Sequence, residues 1–417
     1  MEELLERCGK LKKIFIYGDG EVGRLTRIFL HEQGIEAAAF VVTGVPRVNR
    51  LMDIPVYRIY DVSESTDEAM FIICMHKKHW KDAVSVLESI GAYDYIIVDD
   101  KVRESIVDRV TFKDIYEDVE AGKYINTLLY HRIEELDTTY SLIVNKRNFE
   151  EQLKFIKANY DLLRCDESWD GINRKSIAVT FDDGYVDFYN NAYPLLEKYG
   201  VPATVFIATG NIDTNNEFWW DELERLIIDS TLPREIRVCG KDYFIDEETD
   251  RKELLYDIHD RIINYKYKDR DMEIGSLKRQ MGFEDAGRER YRTLSTREIQ
   301  ELSLKPLVTI GAHTVSHILC DIEDKEIVEG EIRKSKEDLE NIIDKEVNLF
   351  AYPNGNIGLE TRDILKELGF MRAFTCVNAC IGHDDERFDI PRCPALNWSP
   401  KLMERRFRGM WQTGKEI

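Results

Sequence analysis

The chain has no CxxC pair, and its eight cysteines (Cys8, Cys74, Cys165, Cys239, Cys320, Cys376, Cys380 and Cys393) follow no regular spacing. That excludes a disulfide framework and a thiolate zinc knuckle, and reads as free thiols in a reducing compartment. Cys376 and Cys380 come nearest to a pair, but no second pair completes a site around them. The chain also lacks any uninterrupted apolar run long enough to cross a bilayer, and Met1–Lys13 carries charges throughout, with no apolar stretch of signal-peptide length. These absences predict a cytoplasmic protein without a transmembrane segment. Basic charge is scarce too: 58 Lys and Arg stand against 79 Asp and Glu, a net charge of −21. Nucleic acid is therefore excluded as a partner, because affinity for a phosphate backbone is built from clustered basic residues. No internal repeat or low-complexity tract interrupts the chain.

With 417 residues and 43% hydrophobic content, what is present suffices for more than one core. Near the start, an apolar run ending at Tyr17 meets Gly18-Asp19-Gly20-Glu21-Val22-Gly23, and an amphipathic stretch follows from Arg24 to Gln33. Further apolar runs at 37–42, 69–74 and 95–98, with a helical stretch through Ser89, predict a parallel α/β layer. Beyond Asp99 the strand pattern stops, which places a domain boundary near residue 120. Residues 1–120 thus read as a Rossmann-like domain of the nucleotide-binding type. Gly18, Gly20 and Gly23 match the GxGxxG spacing that brings a phosphate to a helix N-terminus. Thr43 stands where a dinucleotide site carries an acid for the ribose, which argues against NAD chemistry. A nucleotide or nucleotide-sugar ligand and a purely structural or oligomerising role both remain open.

From 121 to 417, strand-like runs at 124–130, 176–180, 203–207, 308–310, 348–351 and 372–375 alternate with helical stretches and predict a distorted (β/α) barrel. The connection from about 211 to 296 is too long for a βα loop; it is charged, carries Phe218-Trp219-Trp220-Asp221-Glu222, and reads as a helical insertion. Two features carry chemistry. Asp182-Asp183-Gly184 puts adjacent carboxylates at the C-terminal end of a strand, where one can bind a metal while its neighbour serves as a general base; the same triplet is also a common turn. His313 and His317 follow another strand at i, i+4 spacing, so a helical turn would put both rings on one face. Two imidazoles and one carboxylate leave coordination positions open, as in catalytic zinc-type sites.

Thr180-Phe181-Asp182-Asp183-Gly184-Tyr185 and His313-Thr314-Val315-Ser316-His317 resemble the first two motifs of the polysaccharide deacetylases, carbohydrate esterase family four. Phe350-Ala351-Tyr352-Pro353-Asn354-Gly355 is similar to the third motif in its FAYPxG variant. Tyr130-His131-Arg132 and Ile390-Pro391-Arg392 resemble a first barrel strand end and a late LPR segment, so the resemblance runs over about 123–400. It implies that Asp182 is the base, that Asp183, His313 and His317 hold one divalent cation of the zinc type, and that the Tyr352 amide meets the oxyanion. Arg392 is the candidate for keeping the base ionised. The family's LxxH acid has no clear counterpart. His383 and His131 are the candidates for protonating the leaving amine; otherwise Asp182 shuttles the proton. The Arg that often opens the third motif is absent, with Phe350 and Ala351 there.

The resulting expectation is a metal-dependent hydrolase that removes an N-acetyl group from an acetamido sugar or oligosaccharide, as a glycan precursor. An O-acetyl esterase, a hydrolase of another C–N bond and an inactive sugar or nucleotide-sugar binding protein are the alternatives.

Overall fold

The computed structural model describes residues 2–8, 13–44, 46, 50–52, 54–110, 125–135, 142–172, 174–246, 249–282, 287–377, 387–400 and 402–403. These cluster into two compact units: one holds residues up to 110 together with 402–403, the other 125–400. Leu402 and Met403 therefore belong with the first unit, where the sequence put all of 121–417 in the second.

In the first unit the parallel strands lie in the order Ile54–Arg58, Ala39–Val42, Lys13–Tyr17, Ala69–Ile73, Tyr95–Ile97, with Arg50–Leu51 antiparallel at one edge. The order reverses between Lys13–Tyr17 and Ala69–Ile73, the switch point at which doubly wound sheets bind ligands. The runs at 50–51 and 54–58 were not anticipated as strands, because Pro55 cannot donate to a ladder and demotes its run in any sequence reading. Packing accounts for two of the three fingerprint glycines. Gly18 has φ +116°, and a Cβ there would lie 2.5 Å from the Cys74 carbonyl oxygen; a Cβ on Gly23 would lie 2.0 Å from the Gly18 carbonyl oxygen. They let helix Glu21–Glu32 press onto the first strand. Around Gly20, which caps that helix, there is open space.

The second unit is built on an eight-stranded sheet, its main path running Arg372–Phe374, Leu349–Ala351, Val308–Ala312, Ala203–Ile207, Ser176–Phe181, Ile125–Tyr130, Cys393–Pro394. Neighbours pair in parallel. Asp161–Leu163 joins it beside Ser176–Phe181. One segment brings the two ends of this path together, since Ile390 bridges Phe374 and Cys393 pairs with Leu128. The protein is thus α/β throughout, a Rossmann-like sheet followed by a distorted barrel. Strands such as Ser176–Phe181 are buried at every position, as expected where a parallel sheet is covered on both faces.

Between Ala203–Ile207 and Val308–Ala312 lies the insertion, with helices Trp219–Glu224, Arg251–Ile262 and Tyr267–Met281. It is not purely helical. Glu235–Val238 and Lys241–Phe244 form an antiparallel hairpin, turning through Cys239 and Gly240 with φ of 52° and 72°. Two left-handed residues in succession make the tight turn that matches strand twist. The insertion has a core of its own, around Leu223, Leu226, Ile236, Ile258 and Leu277.

Candidate metal centre and active site

Strand Ser176–Phe181 ends one residue before Asp182, and the chain then turns sharply through Asp183 (φ 71°) and Gly184 (φ 76°). Gly184 is required twice over: its φ is left-handed, and a Cβ would sit 2.9 Å from Ile207. The turn aims the two acids differently. Asp182 lies against Arg392, which donates from Nη1 and Nη2 to its two carboxylate oxygens at 2.6 and 2.7 Å. Arg392 is fully buried; its Nε donates to the Thr375 carbonyl at 2.7 Å and its Nη1 to Thr180 Oγ1 at 3.2 Å. Burial alone would raise the Asp182 pKa, but the Arg392 guanidinium and the nearby His313 hold it below the ordinary carboxylate range.

Asp183 faces the imidazoles instead. Its Oδ1 lies 3.5 Å from His313 Nε2 and 3.4 Å from His317 Nε2. Despite complete burial, the two imidazoles hold its carboxyl well below the usual range. His313 Nδ1 donates to the Ala351 carbonyl at 2.7 Å, which orients the ring with Nε2 facing Asp183. Burial lowers the His317 pKa, whereas at His313 the Asp182 and Asp183 charges outweigh burial and raise it.

These three side chains are the group among the described residues whose donor atoms all lie within 4.8 Å of one another. The spacing fits a cation: ligand atoms about 2.0–2.1 Å from a tetrahedral ion lie about 3.3–3.4 Å apart. One carboxylate and two imidazoles suit zinc or a neighbouring divalent transition ion, and the set is three, as in sites that keep a position open.

The histidine loop does not form the helical turn that the i, i+4 spacing suggested. Thr314 and His317 adopt left-handed φ values of 61° and 48°. The loop is clamped from outside. Glu331, on helix Lys325–Ile343, accepts from the Val315 and Ser316 amides at 2.9 and 2.7 Å and from Ser316 Oγ at 3.0 Å. Arg270 of the insertion donates to the Ser316 carbonyl at 3.1 Å. Neither clamp was found from sequence, and nothing local signals them.

A cavity of about 710 Å³ opens over the acids and imidazoles, lined also by His131, Asn354, Cys376 and, from the insertion, Trp219, Trp220 and His259. Burial lowers the His131 pKa, opposed by the Asp183 and Asp182 charges. Tyr352 does not fit the role implied for it. Its amide already donates to the Phe374 carbonyl at 3.0 Å, its hydroxyl donates to the Phe388 carbonyl at 2.9 Å, and the residue is fully buried. Pairing with the neighbouring strand consumes the amide; Asn354, two residues on in the turn Pro353–Gly355, lines the cavity instead. His383 and Cys380 lie outside the described residues. Gly18, Gly20 and Gly23 belong to the first unit.

Comparison with known proteins meets these residues directly. The polysaccharide deacetylase family matches residues 171–230 and 278–373, segments that contain Asp182, Asp183, His313 and His317 and leave out the middle of the insertion. YxkH of Bacillus subtilis (strain 168), whose name carries polysaccharide deacetylase as a provisional assignment, is 33% identical over 106 residues, 24% of this chain and 37% of that protein. A poly-β-1,6-N-acetyl-D-glucosamine N-deacetylase of Staphylococcus aureus (strain N315) is 32% identical over 108 residues, 24% of this chain. The chain spans 37% of the length of these curated relatives. Among solved structures, the Streptococcus pyogenes deacetylase PplD in complex with acetate is 20% identical, covering 68% of this chain and 98% of its own, with a TM-score of 0.45. IcaB from Ammonifex degensii is 17% identical over 69% of this chain and 98% of its own, with a TM-score of 0.46. Superpositions this loose do not bear on chemistry.

Proposed function

From a polysaccharide-deacetylase domain over residues 171–373, we propose that this protein is a metal-dependent N-deacetylase of an acetamido sugar or oligosaccharide. The observation that carries the reading is the convergence of Asp183, His313 and His317 beside a carboxylate, Asp182, kept ionised by Arg392 in the wall of an open cavity. Asp183 and the two imidazoles would hold the ion. When bound, a divalent cation supplies Lewis acidity toward a carbonyl oxygen and makes water more acidic.

The remaining work falls to the chain. Asp182, ionised, takes the proton of the water that attacks the acetamide carbon. Arg392 holds both carboxylate oxygens, so the acid keeps one orientation while it waits for that proton. Collapse of the tetrahedral adduct breaks the C–N bond, releases acetate and needs a proton on the amine. His131 lines the same cavity, but its burial favours the neutral ring, so the proton that Asp182 takes from the water is the one returned to the amine. Trp219 and Trp220 border the cavity but are packed into the core of the insertion, Trp219 stacked on His259 and Trp220 on Phe218.

The test is acetate release from N-acetyl and O-acetyl sugar oligomers, with Asp182→Asn as the control. Release from the N-acetyl series that falls by about three orders of magnitude or more in the variant supports general-base catalysis by Asp182. Equal rates in variant and wild type would contradict it, and preferential release from the O-acetyl series would reassign the bond. For the first unit the reading is a nucleotide or nucleotide-sugar module. Open space at Gly20 beside the switch point supports it, and calorimetric titration with a nucleoside diphosphate tests it.

A further inference from the structure

The two imidazoles of the centre are oriented by different means. His313 is fixed by the hydrogen bond from Nδ1 to Ala351, whereas among the described residues His317 has no such hydrogen bond through its other nitrogen. Aromatic surface from the insertion surrounds it instead. Trp220 meets the His317 ring edge to face at 4.6 Å between centroids and 64°, and Phe218 lies stacked on Trp220 at 4.7 Å and 2°. Trp220 is itself held. Its Nε1 donates to the Tyr185 hydroxyl at 2.8 Å, and that hydroxyl donates in turn to Asp221, a fully buried carboxylate of the insertion. Tyr185 follows directly on the Asp182-Asp183-Gly184 turn, so this chain of contacts leaves the turn that carries one ligand and returns to the ring of another.

We propose that Asp221, through Tyr185 and Trp220, is a positioning residue for His317, which makes the insertion a built-in part of the metal centre. Asp221 fixes the rotation of the Tyr185 O–H, Tyr185 fixes the indole, and the indole edge fixes the imidazole plane. Outer partners that orient a ligand commonly change metal affinity by about 10- to 100-fold. The inference rests on Asp183, His313 and His317 holding an ion.

The experiment is metal affinity by chelator competition, together with the visible absorption of the cobalt-loaded protein, on wild type and four variants. Tyr185→Phe keeps the ring and removes the hydroxyl; Asp221→Ala removes the acceptor; Asp221→Asn keeps an acceptor of the same shape; His317→Ala is the ligand control. Circular dichroism of the metal-free proteins establishes that each is folded. About tenfold weaker affinity and an altered cobalt spectrum are expected for Tyr185→Phe and Asp221→Ala, with Asp221→Asn within about twofold of wild type. Wild-type affinity and spectrum in folded Tyr185→Phe, beside loss in His317→Ala, would overturn the positioning role and leave the metal centre standing. If wild type itself binds no cobalt or zinc, both the inference and the reading beneath it fall.

Discussion

Asp182 is enclosed almost completely, at 2% exposure, and stays charged because a guanidinium meets both of its oxygens. Arg392→Met removes the largest of the influences that lower its pKa and leaves the burial that raises it, so Asp182 holds its proton to higher pH. The acid limb of the kcat/KM profile is therefore expected to move upward by at least about one pH unit, and a pH–rate series checks it. Breaking a buried pair from one side also costs about 3–5 kcal/mol, read as a lower denaturant midpoint. At this scale the sequence was informative where chemistry forces a pattern. Adjacent acids after a strand and paired imidazoles after another lead to residues that the fold brings within ligand distance. It misled at Tyr352, because the fate of a backbone amide depends on which strand lies alongside, and that partner, Phe374, is defined only by the assembled sheet.

Glu331 is the clearest case of an element acting at a distance in sequence. It stands on helix Lys325–Ile343 and accepts two amides and a hydroxyl from the loop between the imidazoles. Glu331→Ala leaves those donors unpaired in a loop that already contains two left-handed residues. A loss of about 1–3 kcal/mol in stability is expected, with metal affinity weakened about tenfold. Glu331→Gln, which retains an acceptor, should recover much of both; chelator competition and denaturant titration read the two effects. Wild-type affinity in Glu331→Ala would show that the loop holds its shape unaided. Apolar strands were legible because parallel strands covered on both faces read as continuous hydrophobic runs. The hairpin at 235–244 escaped notice because its strands are short, charged and covered on one face only, with Glu235 and Arg237 exposed beside buried Ile236 and Val238. The histidine loop escaped because i, i+4 spacing does not distinguish a helical turn from a bend with left-handed residues.

Buried acids away from the metal ligands affect the stability of the molecule as a whole. Asp187 is 3% exposed, and burial pushes its carboxyl up to about 7 even with Arg132 nearby. Between the ordinary carboxylate pKa and that value the folded chain retains a proton that the unfolded chain has released. Stability contributed by Asp187 therefore falls as pH rises through about 4 to 7, with a slope of at most about 1.4 kcal/mol per pH unit. The lowered Asp182 and Asp183 act in the opposite sense, but below the ordinary carboxylate range. Asp187→Asn should lessen the fall in denaturation of the metal-free protein, the remainder coming from Asp221, which burial also pushes up to about 7, and curves parallel to wild type would contradict the assignment.

Catalysis at this centre depends on one bound cation, and elemental analysis of the purified protein beside His313→Ala/His317→Ala tests that most directly. About one equivalent of zinc, or of a comparable divalent ion, per wild-type chain and almost none in the variant is the predicted result. Equal content in the two proteins, or none in wild type even after incubation with zinc, would contradict it.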